Sequence, residues 1–169
     1  MRNVVRTTVC LLVLFAAMMA TYTARAGEKE EARKHYDRAI GLVDDGQLPV
    51  AIIEFQRSYD LTKNYSVLYN LGQVFVSLAK PVEAINAYQR YLAEGGKKIP
   101  AARRTEVERE IALQKARVAT LSFHILPDGA TIRVDGSEVG KAPTIESLVV
   151  GIGEHVVSAT AEGHEPAEV

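Results

Sequence analysis

The chain has 169 residues, of which 47% are hydrophobic and 24% are charged, and it contains one cysteine. This length can hold one or two small domains. The 20 basic and 21 acidic residues give a formal net charge of −1. A mildly acidic chain without a basic cluster is a poor candidate for binding nucleic acid, which depends on neutralising phosphates.

Residues 1–26 have the features of a secretory signal peptide. A basic start is followed by an apolar run of 12 residues over 9–20 and by the small-x-small site Ala24-Arg25-Ala26. This pattern predicts cleavage before Gly27. The alternative is an uncleaved anchor, although a spanning helix needs roughly 20 apolar residues. Cleavage would remove the only cysteine, Cys10, and would leave 17 basic against 21 acidic residues, a net charge of about −4. No membrane span is expected after cleavage.

Residues 28–98 carry a helical pattern that matches itself at a fixed offset along the chain. Ala51-Ile52 returns as Ala84-Ile85, and Phe55-Gln56-Arg57 returns as Tyr88-Gln89-Arg90. Apolar residues recur at three- and four-residue steps in both copies, as amphipathic helices require. We therefore predict two helix hairpins, over about 30–63 and 64–98, because a period near 34 is typical of stacked helix pairs.

These two units resemble the tetratricopeptide repeat (TPR). The positions that carry the match are Leu68, Leu71, Gly72, Phe75, Ala84 and Tyr88. The first unit departs from the pattern at His35, Arg38 and Ala39, and both units lack the closing proline. The resemblance implies an α-solenoid that serves as a binding scaffold. Only Asn70 falls on a position of the family's clamp for a C-terminal carboxylate, so a chaperone-type tail is not the expected ligand.

The TPR resemblance also implies where a partner would bind. In that family the ligand lies along the concave face, which is lined by the first helix of each pair. The equivalent positions here are Arg33, Tyr36, Ile40, Val43, Ser66, Tyr69, Gln73 and Val76. The two tyrosines recur at the repeat offset and combine apolar area with a polar tip, which favours them for partner contact. The alternative interpretation for both is packing between adjacent helices.

Residues 99–119 are predicted to form a capping or linker helix. Val107, Ile111 and Val118 make a thin apolar stripe among charged residues. A one-sided polar helix can cover the last face of a repeat array. Its charges could instead form a docking surface, although mixed signs at helical spacing are typical of a solvated face. Because roughly three repeats are usually needed for stability, we also predict self-association or a bound partner.

Residues 120–169 change to an alternating, strand-like pattern. Alternation over 121–126 and 131–134 is separated by turns at Pro127-Asp128-Gly129 and Asp135-Gly136. Further strands are predicted over 148–150 and 155–161. This pattern predicts a small all-β module, so the whole chain is expected to have an α+β fold with two domains.

This module is similar to the PEGA domain, a small β-domain of exported bacterial and archaeal proteins. The residues that carry the resemblance are Pro127-Asp128-Gly129-Ala130, Val134-Asp135-Gly136, Val139-Gly140, Pro143, Gly153-x-His155 and Gly163-His164. That family usually continues with one or two more strands, so the sheet is expected to be a truncated sandwich with an open edge. Signal, repeats and PEGA resemblance together imply an exported envelope protein of a Gram-negative bacterium.

We find no pattern that predicts catalysis, a cofactor or a metal site. His155 and His164 lie near glutamates, but the spacings of known metal motifs are absent and both already fit the PEGA pattern. A nucleophile, a base and an orienting group are not brought together by any motif. We expect a non-catalytic envelope adaptor that binds a protein or peptide in the TPR groove. The alternatives are a structural cell-wall protein whose β-module contacts glycan and, third, a small enzyme or metal carrier.

Overall fold

The computed structural model describes residues 26–124 and 127–169. The predicted signal peptide therefore lies outside the described residues except for its last position. Five helices precede the strands in the described part: α1 over residues 26–44, α2 Leu48–Thr62, α3 Ser66–Ser77, α4 Pro81–Gly95 and α5 Ala101–Lys115, with a 3-10 turn at Gly96–Lys98. None of the described helices is long and apolar enough to cross a membrane.

Helices α1 and α2 form one hairpin, and α3 and α4 form the second, as predicted. Prolines stand in the first turns of α2 and α4, where their missing N–H groups leave no helical hydrogen bond unmade. Small residues lie at the contacts between helices: Ala39, Ala51 and Ala84 are fully buried. Close helix approach at such residues is what allows larger side chains elsewhere to interdigitate.

The two hairpins repeat their contacts as well as their sequence. The ring of Tyr36 packs against Phe55 at 5.6 Å between centroids, and Tyr69 packs against Tyr88 at 6.0 Å. In both pairs the tyrosine comes from the first helix of a hairpin and its partner from the second helix. Phe55 and Tyr88 are buried within one continuous core that runs through α1 to α5. The sequence repeat is therefore a repeat of packing geometry.

Helix α5 packs on α4 through Val107 and Ile111, both of which are buried. The helix ends at Lys115, four residues before the predicted end at 119. Val118 was assigned to its apolar stripe but begins the first strand, from which it still packs against the helical core. The seven-residue spacing from Ile111 to Val118 fits a helix. Val118 is instead in a strand because it pairs with Gly151, far along the chain, and the local sequence does not show that pairing.

The strands between residues 118 and 169 that the structure describes form two antiparallel sheets. β1 (Val118–Ser122) pairs with β4 (Ser147–Gly151), and the second sheet has the order β3 (Ser137–Lys141), β2 (Thr131–Val134), β5 (Val157–Thr160) and β6 (Ala167–Glu168). The side chains of Ala130, Ile132, Val134, Ala142 and Val150 are buried in this module. Helices followed by a small antiparallel module confirm the predicted α+β layout.

Two local features of the β-module follow directly from its residues. Asp135 and Gly136 have φ values of 51° and 77° and connect β2 to β3, as the predicted Asp-Gly turn requires. Strand β6 was not predicted, and it pairs with β5 through Ala167 and Glu168. A strand of two residues shows no alternation that a sequence pattern could reveal.

Candidate partner-binding surface

An open pocket of about 640 Å³ lies between α1, the end of α2 and the start of α3. Its lining residues are Lys29, Ala32, Arg33, Tyr36, Ser58, Thr62, Lys63, Asn64, Tyr65, Ser66, Val67 and Lys98. We call it the hairpin pocket. A concave site of this size falls in the range of ligand-binding pockets.

The turn between the two hairpins shapes one wall of the hairpin pocket. Lys63 ends α2 in the left-handed conformation, with φ of 49°, and its N–H donates to Tyr59 O. Asn64 then accepts hydrogen bonds from the start of α3: its Oδ1 from Ser66 N at 3.1 Å and its carbonyl from Val67 N. These bonds fix the turn and hold the side chains of the wall in place.

Basic side chains dominate the charge of the hairpin pocket. Lys29, Arg33, Lys63 and Lys98 line it, and none of the residues lining it is acidic. Arg33 reaches Asp37 Oδ2 at 3.6 Å, and Lys63 reaches Asp60 Oδ1 at 2.8 Å, so these two cations are partly neutralised. The hydrogen bond from Lys63 lowers the pKa of Asp60, which keeps that carboxylate ionised.

Tyr36 joins the first hairpin to the second beside this pocket. Its hydroxyl accepts a hydrogen bond from Asn70 Nδ2 at 2.9 Å, and its ring meets Phe55 edge-on. The ring is half-buried and packs against the helical core. Tyr36 therefore serves helix packing and also presents part of its surface to the hairpin pocket.

Tyr69 belongs to a second cluster, on the side of α3 that faces α5. Its hydroxyl donates to Glu106 Oε1 at 2.9 Å and accepts from Arg103 Nη1 at 2.6 Å and from Gln73 Nε2 at 3.0 Å. The Arg103 guanidinium also lies over the ring, 4.5 Å from its centroid. Burial raises the pKa of Tyr69. The hydroxyl of Tyr69 is thus hydrogen-bonded to α5, just as the hydroxyl of Tyr36 is hydrogen-bonded to Asn70 of α3.

The structure distributes the eight predicted concave residues over more than one place. Arg33, Tyr36 and Ser66 line the hairpin pocket, whereas Tyr69 and Gln73 make the cluster against α5. Of the other three, Ile40 is exposed, and Val43 and Val76 are half-buried against the core.

Sequence reasoning missed Lys29, Lys63 and Lys98. The signal that could have found two of them is positional. Lys63 and Lys98 each stand in a turn that ends a hairpin, and stacked hairpins bring successive turns to the same edge of the array.

The two histidines considered as metal ligands, His155 and His164, form hydrogen bonds within the protein. Both ring nitrogens of His155 are in hydrogen bonds, Nδ1 with Asp135 Oδ2 at 2.8 Å and Nε2 with Gly151 O at 2.7 Å. His164 Nδ1 donates to Glu162 O within its own turn. Residues 26–124 and 127–169 hold no group of three His, Cys, Asp or Glu side chains that could bind a metal ion.

A smaller cavity of about 370 Å³ lies where α4 meets the first sheet. Val82, Ile85 and Gln89 line it from the helix, and Val118, Thr120 and Val149 line it from the strands. Nearby, Ile152 N donates to Arg117 O at 2.9 Å, which ties the loop after β4 to the short link after α5. The helices and the β-module are thus in direct contact.

These observations define an α+β protein in which a layer of helix hairpins is joined to a compact β-module. Comparison with known families identifies the second part: the PEGA domain model matches residues 118–169, from the first residue of β1 through β6. PEGA domains are typical of extracytoplasmic proteins, and they suggest association with the cell surface or envelope. No curated protein matches the chain.

Proposed function

We propose that this protein is a non-catalytic scaffold of the bacterial cell envelope, in which the helix hairpins bind a peptide or protein partner. The observation that carries this proposal is the hairpin pocket. It brings three of the predicted partner-binding residues together with basic side chains, on a frame of packed helices. Export to the periplasm or cell envelope is supported by the signal pattern and by the PEGA match at 118–169.

The packing of the helices supports a preformed binding site. Tyr36, which lines the pocket, and Tyr69, in the cluster against α5, are both fixed by hydrogen bonds and ring contacts, so neither place needs much ordering when a partner binds. Preorganisation of this kind lowers the entropic cost of association. The same contacts make alanine substitution of these tyrosines a poor test, because it would disturb the core along with the surface.

Site-specific photo-crosslinking tests the proposal without that difficulty. A photoreactive residue is placed at Ser66, which lines the hairpin pocket with an exposed side chain. The matched positions are Lys34, which is exposed on α1 and does not line the pocket, and Ser137 in the β-module. The purified variants are incubated with an envelope extract and irradiated, and the products are identified by mass spectrometry.

We expect a polypeptide to be crosslinked at position 66 and at neither matched position. Crosslinking of the same polypeptide at all three positions would indicate non-specific contact and would count against the proposal. No polypeptide at position 66, combined with wall glycan at position 137, would transfer the function to the β-module.

That second outcome corresponds to the alternative function, a structural cell-wall protein whose β-module contacts glycan. The observation that favours it is the exposure of apolar side chains on this module, with Ile152 exposed at 65% and Val156 at 51%. Apolar surface next to polar turns can pack on sugar rings. The alternative predicts that recovery on isolated wall material depends on the β-module and is unchanged by substitutions in the hairpin pocket.

A further inference from the structure

We infer that the hairpin pocket accepts an acidic peptide segment, whose carboxylates contact the lysines at its rim and whose apolar side chain contacts its tyrosines. This inference rests on the proposed scaffold function and specifies the chemistry of its partner. It is carried by the distribution of charge in the pocket and by the chemical character of the pocket walls.

The charge of the hairpin pocket is opposite to that of the chain around it. The described residues include 17 basic and 21 acidic side chains, yet four of the basic ones and none of the acidic ones line this pocket. Lys29 and Lys98 form no ion pair within the part of the chain that the structure describes. A concave, locally positive site on an acidic protein attracts an anionic partner and rejects like-charged surfaces.

The other two cations can also be recruited at low cost. Arg33 and its partner Asp37 are 76% and 65% exposed, and Lys63 and Asp60 are 62% and 55% exposed. Ion pairs at such exposure contribute little to stability, because water and salt screen both charges. Exchange of Asp37 or Asp60 for a carboxylate of the partner would therefore lose little.

The remaining walls suit a peptide better than a small inorganic anion. Ala32 and Val67 line the pocket and are buried, and the rings of Tyr36 and Tyr65 add half-buried aromatic surface. Asn64 and Ser66 place an amide and a hydroxyl at the wall. A cavity of about 640 Å³ has room for several side chains on a backbone, whereas one phosphate would leave most of it unfilled.

A positional-scanning library of fluorescent octapeptides provides the test. Each pool fixes Glu, Gln or Lys at one position and is random elsewhere, and binding to the purified protein is measured by fluorescence anisotropy at low and high salt. The test variant is Lys29→Gln/Lys98→Gln. Its matched control, Lys34→Gln/Lys141→Gln, makes the same change in net charge at exposed lysines outside the pocket.

We expect Glu pools to bind more tightly than the equivalent Gln pools, and Lys pools to bind least. The preference for Glu should fall with salt, because exposed charges are screened. In the test variant the affinity for Glu pools should drop roughly 2- to 30-fold, the equivalent of two ion pairs, and the control should keep it. Unfolding curves of both variants check that the fold is intact.

Each contrary result overturns a different claim. Equal binding of Glu and Gln pools would overturn the acidic ligand and leave the scaffold function standing. If the protein bound polygalacturonate but none of the peptide pools, and if the test variant lost that binding, the pocket would be assigned to an anionic glycan. The peptide ligand would then be overturned. Absence of peptide binding together with no crosslink at Ser66 would overturn the scaffold function itself.

Discussion

Gly72 lies in α3 against the ring of Tyr88 in α4. A Cβ at this position would lie 2.6 Å from Tyr88 Cδ1, and Tyr88 is itself 3% exposed and packed against Tyr69. The ring cannot move aside without displacing its neighbours. Overpacking of this kind costs about 1–3 kcal/mol, so Gly72→Ala should reduce the free energy of unfolding by that amount in urea titrations.

Gly41 offers a control for the same substitution. It lies in α1, is exposed, and a Cβ there would meet nothing within 4 Å. Gly41→Ala should therefore stabilise the protein by about 0.5–1 kcal/mol, because alanine is the better helix former. Loss of stability of equal size in both variants would show that α3 and α4 do not approach as described.

His155 and Asp135 form a pH-dependent link between the segment that precedes β5 and the β2–β3 turn. The hydrogen bond to Asp135 raises the pKa of His155, with a smaller contribution from Gly151 O, and the same bond lowers the pKa of Asp135. Both partners of His155 are oxygen acceptors, so the two bonds require a protonated ring. The link is present when His155 is cationic and Asp135 is anionic.

The direction of the pH effect follows from these shifts. The contribution of His155 is complete below its unfolded pKa, roughly 6.5, and is lost as pH rises through its higher folded pKa. That of Asp135 is complete above its unfolded pKa, roughly 3.9, and is lost as pH falls through its lower folded pKa. In thermal melts near pH 5.5, the Tm of His155→Gln should be lower than that of the parent protein. The difference in Tm should become smaller as the pH is raised. His164→Gln is the control, and a gap independent of pH would contradict the link.

At the scale of the element, α5 tests whether the array depends on its last helix. Ile111 is 9% exposed against α4, whereas Leu113, two residues later, is 54% exposed. Ile111→Ala should cost about 2–5 kcal/mol, and Leu113→Ala should stay within about 0.5 kcal/mol of the parent. Guanidinium titration of both variants provides the measurement. Similar small losses would show that α5 is only loosely attached.

The elements also show how far the sequence alone could predict the fold. The hairpins were predictable because each copy carries its own small residues and its own periodicity, so Ala39 and Gly72 mark the same place twice. The end of α5 could not be predicted, because Val118 fits the apolar stripe of the helix and its strand partner, Gly151, lies far along the chain. Residues that depend on distant contacts give no local signal.

The same limit applies to the candidate site. Arg33, Tyr36 and Ser66 were predicted from the TPR resemblance, as positions on the first helix of each hairpin, and all three line the hairpin pocket. Lys63 and Lys98 lie in turns that hairpin stacking places at one edge, whereas nothing in the sequence indicates that Lys29, near the start of α1, joins them. Lysines in turns are common in sequences. That these lysines line the same pocket is a property of the tertiary structure.

For the whole molecule, the two ends of the helical array differ. Helix α5 covers the end next to the β-module, whereas α2 leaves Val50 exposed at 43% and Ile53 at 52%. We predict that the protein self-associates or binds a partner here. Its Tm should rise with protein concentration, as mass action requires, and Ile53→Glu should remove that dependence. A monomer in light scattering that melts cooperatively at the same temperature at all concentrations would contradict this.

The last prediction concerns processing of the whole chain. Residues 1–25 lie outside the described residues, so the signal peptide rests on the sequence, where a basic start, an apolar run and Ala24-Arg25-Ala26 agree. Protein recovered from the envelope fraction of a Gram-negative host should begin at Gly27 on N-terminal sequencing. Ala26→Asp should block cleavage, because the processing site requires a small residue, and should leave a longer chain that still begins at Met1. A parent protein that keeps Met1 and sediments with membranes would show that the segment is an anchor, and the hairpins would then bind their partner at the membrane surface.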